Sequence, residues 1–227
     1  MIRVSESKYA HLFISYFGPD FFAVPGIDNT NDGYLDEKAE AAYAEIARMV
    51  TAYERSAEVT AFSSKFDTGT LTAQEIRGQA LLKENCSSCH TDEVAGSESP
   101  PFFTNYGYVN IGVPVIDRLL AVPGTVYDGY DLGLGAVVND EAQDGKFKVL
   151  TLRNVALTAP YSHNGYFATL KAMVSFMNNR SAFIPEVSYN LSMGVGNQKL
   201  CEQDVDDIVA FLNTLTDGGK ARSGNGF

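Results

Sequence analysis

Cys86-Ser87-Ser88-Cys89-His90 constrains this chain more than any other stretch. Two thiols three positions apart project from one side of a helical turn, and a histidine follows at once. The spacing suits covalent attachment of a c-type haem, with each thiol adding to one vinyl group and the imidazole lying under the iron as proximal ligand. A thioredoxin-like redox pair would want a βαβ setting, whereas the residues before Cys86 read as a helix. A closed zinc site needs four ligands, and beyond the motif the chain offers only Cys201, His11 and His163. Cys201, the odd cysteine, reads as a buried or half-buried inert thiol, and His11 as an ordinary surface or core residue.

The other constraints are broader. With 227 residues, 45% of them hydrophobic, the chain can build one large or two small cores. A net charge of −11 disfavours nucleic acid, whose phosphates would repel it, and suits a basic partner. No apolar run reaches the length of a membrane span. Met1–Lys8 has no basic run leading into an apolar segment, so no secretory leader is read there. Covalent haem attachment takes place after export, so a periplasmic or otherwise exported chain is expected, its leader removed or the chain a fragment.

Along the chain, residues 9–22 gather aromatics (Tyr9, Phe13, Tyr16, Phe17, Phe21, Phe22) into a helix end and a packed turn. Residues 25–37 form an acidic loop, which lacks the glutamate a calcium loop needs at its twelfth position, where Ala39 stands. Residues 37–62 read as a helix with Tyr43, Ile46, Val50 and Tyr53 as its core stripe. Thr72 and Glu75 form a capping box that opens a helix running into Cys86, with Ile76, Ala80 and Leu81 as its apolar face. Residues 92–147 are irregular and rich in Pro and Gly, the pattern of a ligand-wrapping stretch. Further helices are predicted over 168–180 and 203–216, the latter burying Val205, Ile208, Val209, Leu212 and Leu215. No convincing strand is visible.

Three more stretches join the motif in resembling one family: Phe103–Pro114 (FTNYGYVNIGVP), Phe147–Gly165 (FKVLTLRNVALTAPYSHNG) and Asp207–Thr216 (DIVAFLNTLT). Together they resemble the bacterial di-haem cytochrome c peroxidases and their MauG-type relatives, well over residues 60–217 and more loosely over 9–62. The resemblance implies an all-α, cytochrome c-like haem domain at 63–227 with long irregular haem-wrapping loops. It implies a helical remnant of the family's first haem domain at 1–62. Family members carry two C-x-x-C-H motifs, and the one here matches the second, electron-transfer haem. The family's tryptophan between the haems is also missing, since the chain has no Trp.

The expected function is therefore c-type haem electron transfer with a small cytochrome or cupredoxin partner. The alternative is a peroxide-reactive enzyme, a cytochrome c peroxidase or MauG-type oxidase, complete or lacking its first haem domain. A weaker third reading is a haem-bearing interaction or sensor subunit. A homodimer or a separate haem-domain partner would fit the same pattern. For the sixth iron ligand the thioether choices are Met173, Met177 and Met193; the resemblance favours Met177, three residues past Val174 in a Leu-x-x-x-Val pattern, with Met193 second. By the same resemblance His163 lies between the two haems, as a structural group, an iron ligand or a proton relay. Arg153 suits a haem propionate by its planar guanidinium. Thr158 and Pro160 match backbone carbonyls that hold a calcium ion in the family, whose Asn ligand has no assigned counterpart here.

Overall fold

The structure, a computed structural model, describes residues 2–22, 37–93, 100–116 and 130–218. The acidic loop and its calcium echo lie outside the described residues. The chain divides into two compact units, Met1–Ala61 and Phe62–Phe227.

The first unit holds helices α1 (Ile2–Ser5), α2 (Ala10–Phe17), α3 (Glu37–Glu54) and α4 (Ala57–Thr60). The aromatics of 9–22 form the expected packed turn, with Phe13 and Phe17 each stacked on Phe21. The helix read over 37–62 stops at Glu54 and resumes only as α4. Its expected core stripe is corrected: Tyr43, Val50 and Tyr53 are 63%, 50% and 53% exposed, and Ala42 is the buried position. Helical spacing defines a face, but a face becomes core only when another element covers it.

The second unit is helix-rich with few strands. It holds α5 (Lys65–Thr68), α6 (Ala73–Cys86), α7 (Leu134–Val138), α8 (Leu170–Asn178) and α9 (Glu202–Asn213). It also contains an antiparallel pair, β1 (Tyr108–Val109) with β2 (Phe147–Lys148), in register Tyr108 to Lys148 and Val109 to Phe147. β1 lies in the 92–147 stretch read as irregular and β2 begins at its last residue, and both are too short to leave an alternating pattern.

Helix α6 begins at the predicted capping box: Glu75 N donates to Thr72 Oγ1 at 3.3 Å, and Thr72 N donates to Glu75 Oε2 at 2.6 Å. Its buried face is Gly78 and Leu82; Ile76 and Ala80 are exposed, which corrects the predicted face. Gly78 explains the rotation. A Cβ there would collide with the Asp207 carbonyl and lie 2.9 Å from Phe211 Cβ, so only glycine lets α6 lie backbone to backbone on α9. Arg77 Nε and Gln203 Nε2 hold Asp207 beside this crossing at 2.9 and 2.8 Å. The Gln203 hydrogen bond, against burial and with Arg77, keeps the Asp207 carboxyl below its usual range.

The main core joins Leu82, Phe103, Ile208, Phe211, Leu212 and Leu215, with Cys86 packed against it. Burying a Phe or Leu side chain there contributes roughly 2–3 kcal/mol. A second cluster, Val113, Tyr161, Phe167 and Phe176, lies against α8 and includes Met173 and Met177 at its edge. Leu170 and Val155 touch both clusters. Since α6 and α8 both pack on α9, that helix is the common base for the motif and for Met177.

Candidate haem-binding site

Cys86 is the last residue of α6, and the chain turns there. Cys89 N and His90 N both donate to Cys86 O, at 3.1 and 2.8 Å, a tight turn that presents the motif at the helix end. The two thiols are free rather than joined. Burial, and secondarily the neighbouring Cys89, push the Cys86 thiol up to about 11.

His90 Nδ1 lies 2.9 Å from the carbonyl oxygen of Phe103. A carbonyl can only accept, so Nδ1 carries the proton and Nε2 keeps its lone pair. Burial lowers the His90 pKa, partly offset by that hydrogen bond, so the ring is held neutral at pH 7. A neutral imidazole with Nδ1–H anchored on a carbonyl is the tautomer a metal ligand needs. Phe103 aims this carbonyl from a left-handed backbone (φ 56°), fixed by a ring only 2% exposed that meets Phe66 and Phe211 edge to face. Asn105 closes the arrangement: its backbone N–H donates to Cys89 O at 2.8 Å and its side-chain amide to Ser88 O at 2.9 Å.

Free paired thiols, a neutral histidine of the right tautomer and a core beside them fit a covalently held haem. Cys86 and Cys89 would hold the ring and His90 the iron.

Arg153 is placed differently from a solvent-facing propionate clamp. Its Nη1 is bidentate on Asp67 at 2.9 and 2.8 Å, Nε donates to Pro101 O at 2.8 Å, and its side chain is 2% exposed. Phe62, Phe66 and Phe103 rings surround the guanidinium. Nη2 is buried without a hydrogen-bond partner among the described residues, so a propionate contact would fall to that nitrogen. Burial raises the Asp67 pKa, but Ser64 and Arg153 outweigh it and hold the carboxyl below its usual range. Asn154, next in sequence, exchanges two hydrogen bonds with Asp217, each 2.9 Å. Leu152-Arg153-Asn154 thus ties α5, residue 101 and the segment that follows α9 together.

The His163 ring lies flat on Phe147, centroids 3.6 Å apart, with Nε2 3.1 Å from Glu186 Oε2. Met177 is half-buried, and Met193 is 92% exposed in a loop. Thr158 and Pro160 are exposed, and the Ala159–Pro160 peptide bond is cis. Cys201 is exposed, not buried, which corrects the expectation: it is the N-cap of α9, and its backbone N–H donates to Asp204 Oδ2 at 2.9 Å. His11 is exposed on α2.

Sequence reasoning assigned no role to Phe103, Asn105 or Asp67. For Asp67 a signal existed, because Ser64-x-x-Asp67 is a capping box like Thr72-x-x-Glu75. Phe103 acts through its backbone, which no side-chain pattern reveals.

MauG of Paracoccus denitrificans is 35% identical over 210 residues, 82% of this chain and 54% of that protein. The chain is homologous to MauG and the di-haem cytochrome c peroxidases. A cytochrome-c peroxidase of Denitromonas iodatirespirans is 31% identical over 77% of the chain and 49% of its own length. Among solved structures, a variant of the diheme peroxidase BthA from Burkholderia thailandensis superimposes with TM-score 0.72 at 27% identity, over 96% of this chain and 57% of that one. The chain thus spans about half the length of these relatives. No protein-family model matches it. Among the described residues, no helix is long and apolar enough to cross a membrane.

Proposed function

We propose that the chain is a c-type haem electron-transfer protein, equivalent to the electron-transfer half of the di-haem peroxidases. The observation that carries this reading is the 2.9 Å bond from His90 Nδ1 to Phe103 O, one residue after two free thiols at haem-attachment spacing. A single haem c, held by Cys86, Cys89 and His90, would supply a one-electron couple in an all-α, cytochrome c-like setting wrapped by the segments around 100–116 and 130–147. Met177 is the sixth ligand in this reading. It sits at the edge of a packed core on α8, while Met193 lies in solvent. A thioether ligand favours ferrous iron and a raised potential. The partner is a small cytochrome or cupredoxin, met after export. Thr158 and Pro160 carbonyls contribute to a calcium site, and His163, fixed by Glu186 and Phe147, is structural.

A peroxide-reactive role has its own support in the 35% identity to MauG, and it requires an iron with an open face. Absorption spectra of the purified protein, oxidised and reduced, with and without hydrogen peroxide, separate the two. A low-spin spectrum with a sulfur-to-iron band that peroxide leaves unmoved is expected, and the band should vanish in Met177→Ala. A high-spin spectrum that changes promptly with peroxide would replace the carrier reading with the enzymatic one.

A further inference from the structure

We infer that Asn105 is the positioning residue for His90, acting as a strap that fixes the Phe103 carbonyl against the imidazole; this rests on the haem reading above. The turn after α6 leaves carbonyls that the helix cannot use. Asn105 takes two of them, Cys89 O through its backbone and Ser88 O through its side chain. Its Oδ1 accepts from Gly107 N at 2.8 Å, which fixes the orientation of the amide and turns the donor end to Ser88. The strap is anchored between Phe103 and Asn105 by Thr104, whose Oγ1 donates to Val149 O at 2.6 Å and accepts from Tyr106 N at 2.9 Å.

Phe103 needs such an anchor. A left-handed backbone is unfavourable for a non-glycine residue, so the conformation persists only where its surroundings impose it. The buried ring holds one side of Phe103, and the strap holds the other. The strength of the bond from Nδ1–H to the carbonyl sets how good an electron donor the imidazole is to a metal. Asn105, exposed and hydrogen-bonded to Ser88 and Cys89 rather than to the imidazole, thereby tunes the potential of an iron that His90 would hold.

The test compares the 227-residue chain with Asn105→Ala and Asn105→Asp, the latter keeping the acceptor for Gly107 N while losing the donor to Ser88 O. Amide exchange through residues 86–105 is followed in all three, and the reduction potential in the parent and Asn105→Ala. Exchange of the Asn105 amide is expected to quicken about five-fold in both variants, the equivalent of one hydrogen bond at about 1 kcal/mol net. The potential of Asn105→Ala is expected to rise, because a less firmly anchored imidazole donates less and favours ferrous iron. Parent-like exchange or a parent-like potential overturns the proposal, even if melting falls. A protein that takes up no haem sinks the functional reading instead, and the exchange comparison then decides the strap alone.

Discussion

Asp67 and Arg153 show how a local cap becomes a long-range tie. Asp67 closes the capping box with Ser64 and, 86 residues on, receives the buried guanidinium of Arg153. Because its folded pKa is depressed, the native state binds fewer protons than the unfolded chain in the range between the two values. Its stabilisation is therefore full above the ordinary aspartate range, near about pH 4, and lost as pH falls through it. The His90 depression acts in the same sense, since unfolding lets the ring protonate below about pH 6.5 in haem-free protein. Asp67→Asn should cost about 3 kcal/mol at neutral pH, because it strands a buried guanidinium. It should also flatten the acid limb of stability below about pH 5. Urea midpoints against pH for parent and variant check both, and parallel acid limbs would show that Asp67 does not carry the effect.

At the scale of elements, the crossing of α6 and α9 governs where the motif sits. Gly78→Ala places a methyl on the Asp207 carbonyl and Phe211 Cβ, and neither is the free end of a flexible side chain. Overpacking of this kind costs about 2 kcal/mol, roughly 4–8 °C of melting temperature for a unit of this size. The expected drop is read by calorimetry, and an unchanged Tm would mean that the helices slide apart without penalty. The elements also show what sequence could reveal. The Thr72–Glu75 cap and the Val205, Ile208, Leu212 and Leu215 face were legible because both are local, period-3.6 features. The α6 face was misread because Gly78 carries no hydrophobic signal, and the Tyr43, Val50 and Tyr53 stripe because periodicity does not say what covers it. The Cys86–His90 motif was plain in sequence. Its support by Phe103 and Asn105 was not, since it runs through backbone carbonyls and a left-handed residue.

For the whole molecule, the question is how much of the chain the site requires. Both hydrophobic clusters, the C-x-x-C-H turn, α8 with Met177 and the Leu-Arg-Asn tie are drawn from residues beyond 61. The two ends of the described part of this unit are stitched to each other. Ser63 N donates to Asp217 Oδ1 at 2.8 Å, Gly218 N to Ser63 O at 3.2 Å, and Phe66 N to Thr214 O at 3.0 Å. Closure of this sort removes the frayed termini that usually weaken a truncated domain. The first unit, by contrast, leaves much of its apolar side chain area exposed, including Leu12, Tyr16 and Tyr43. Residues 62–227 alone are therefore expected to unfold in one cooperative transition and to take one haem per chain, with the visible spectrum of the 227-residue chain. Equilibrium denaturation followed by absorbance and circular dichroism tests this. Coincident transitions and an unchanged spectrum would assign the site wholly to the second unit. A broad transition or a lost sulfur-to-iron band would show that residues 1–61 complete it.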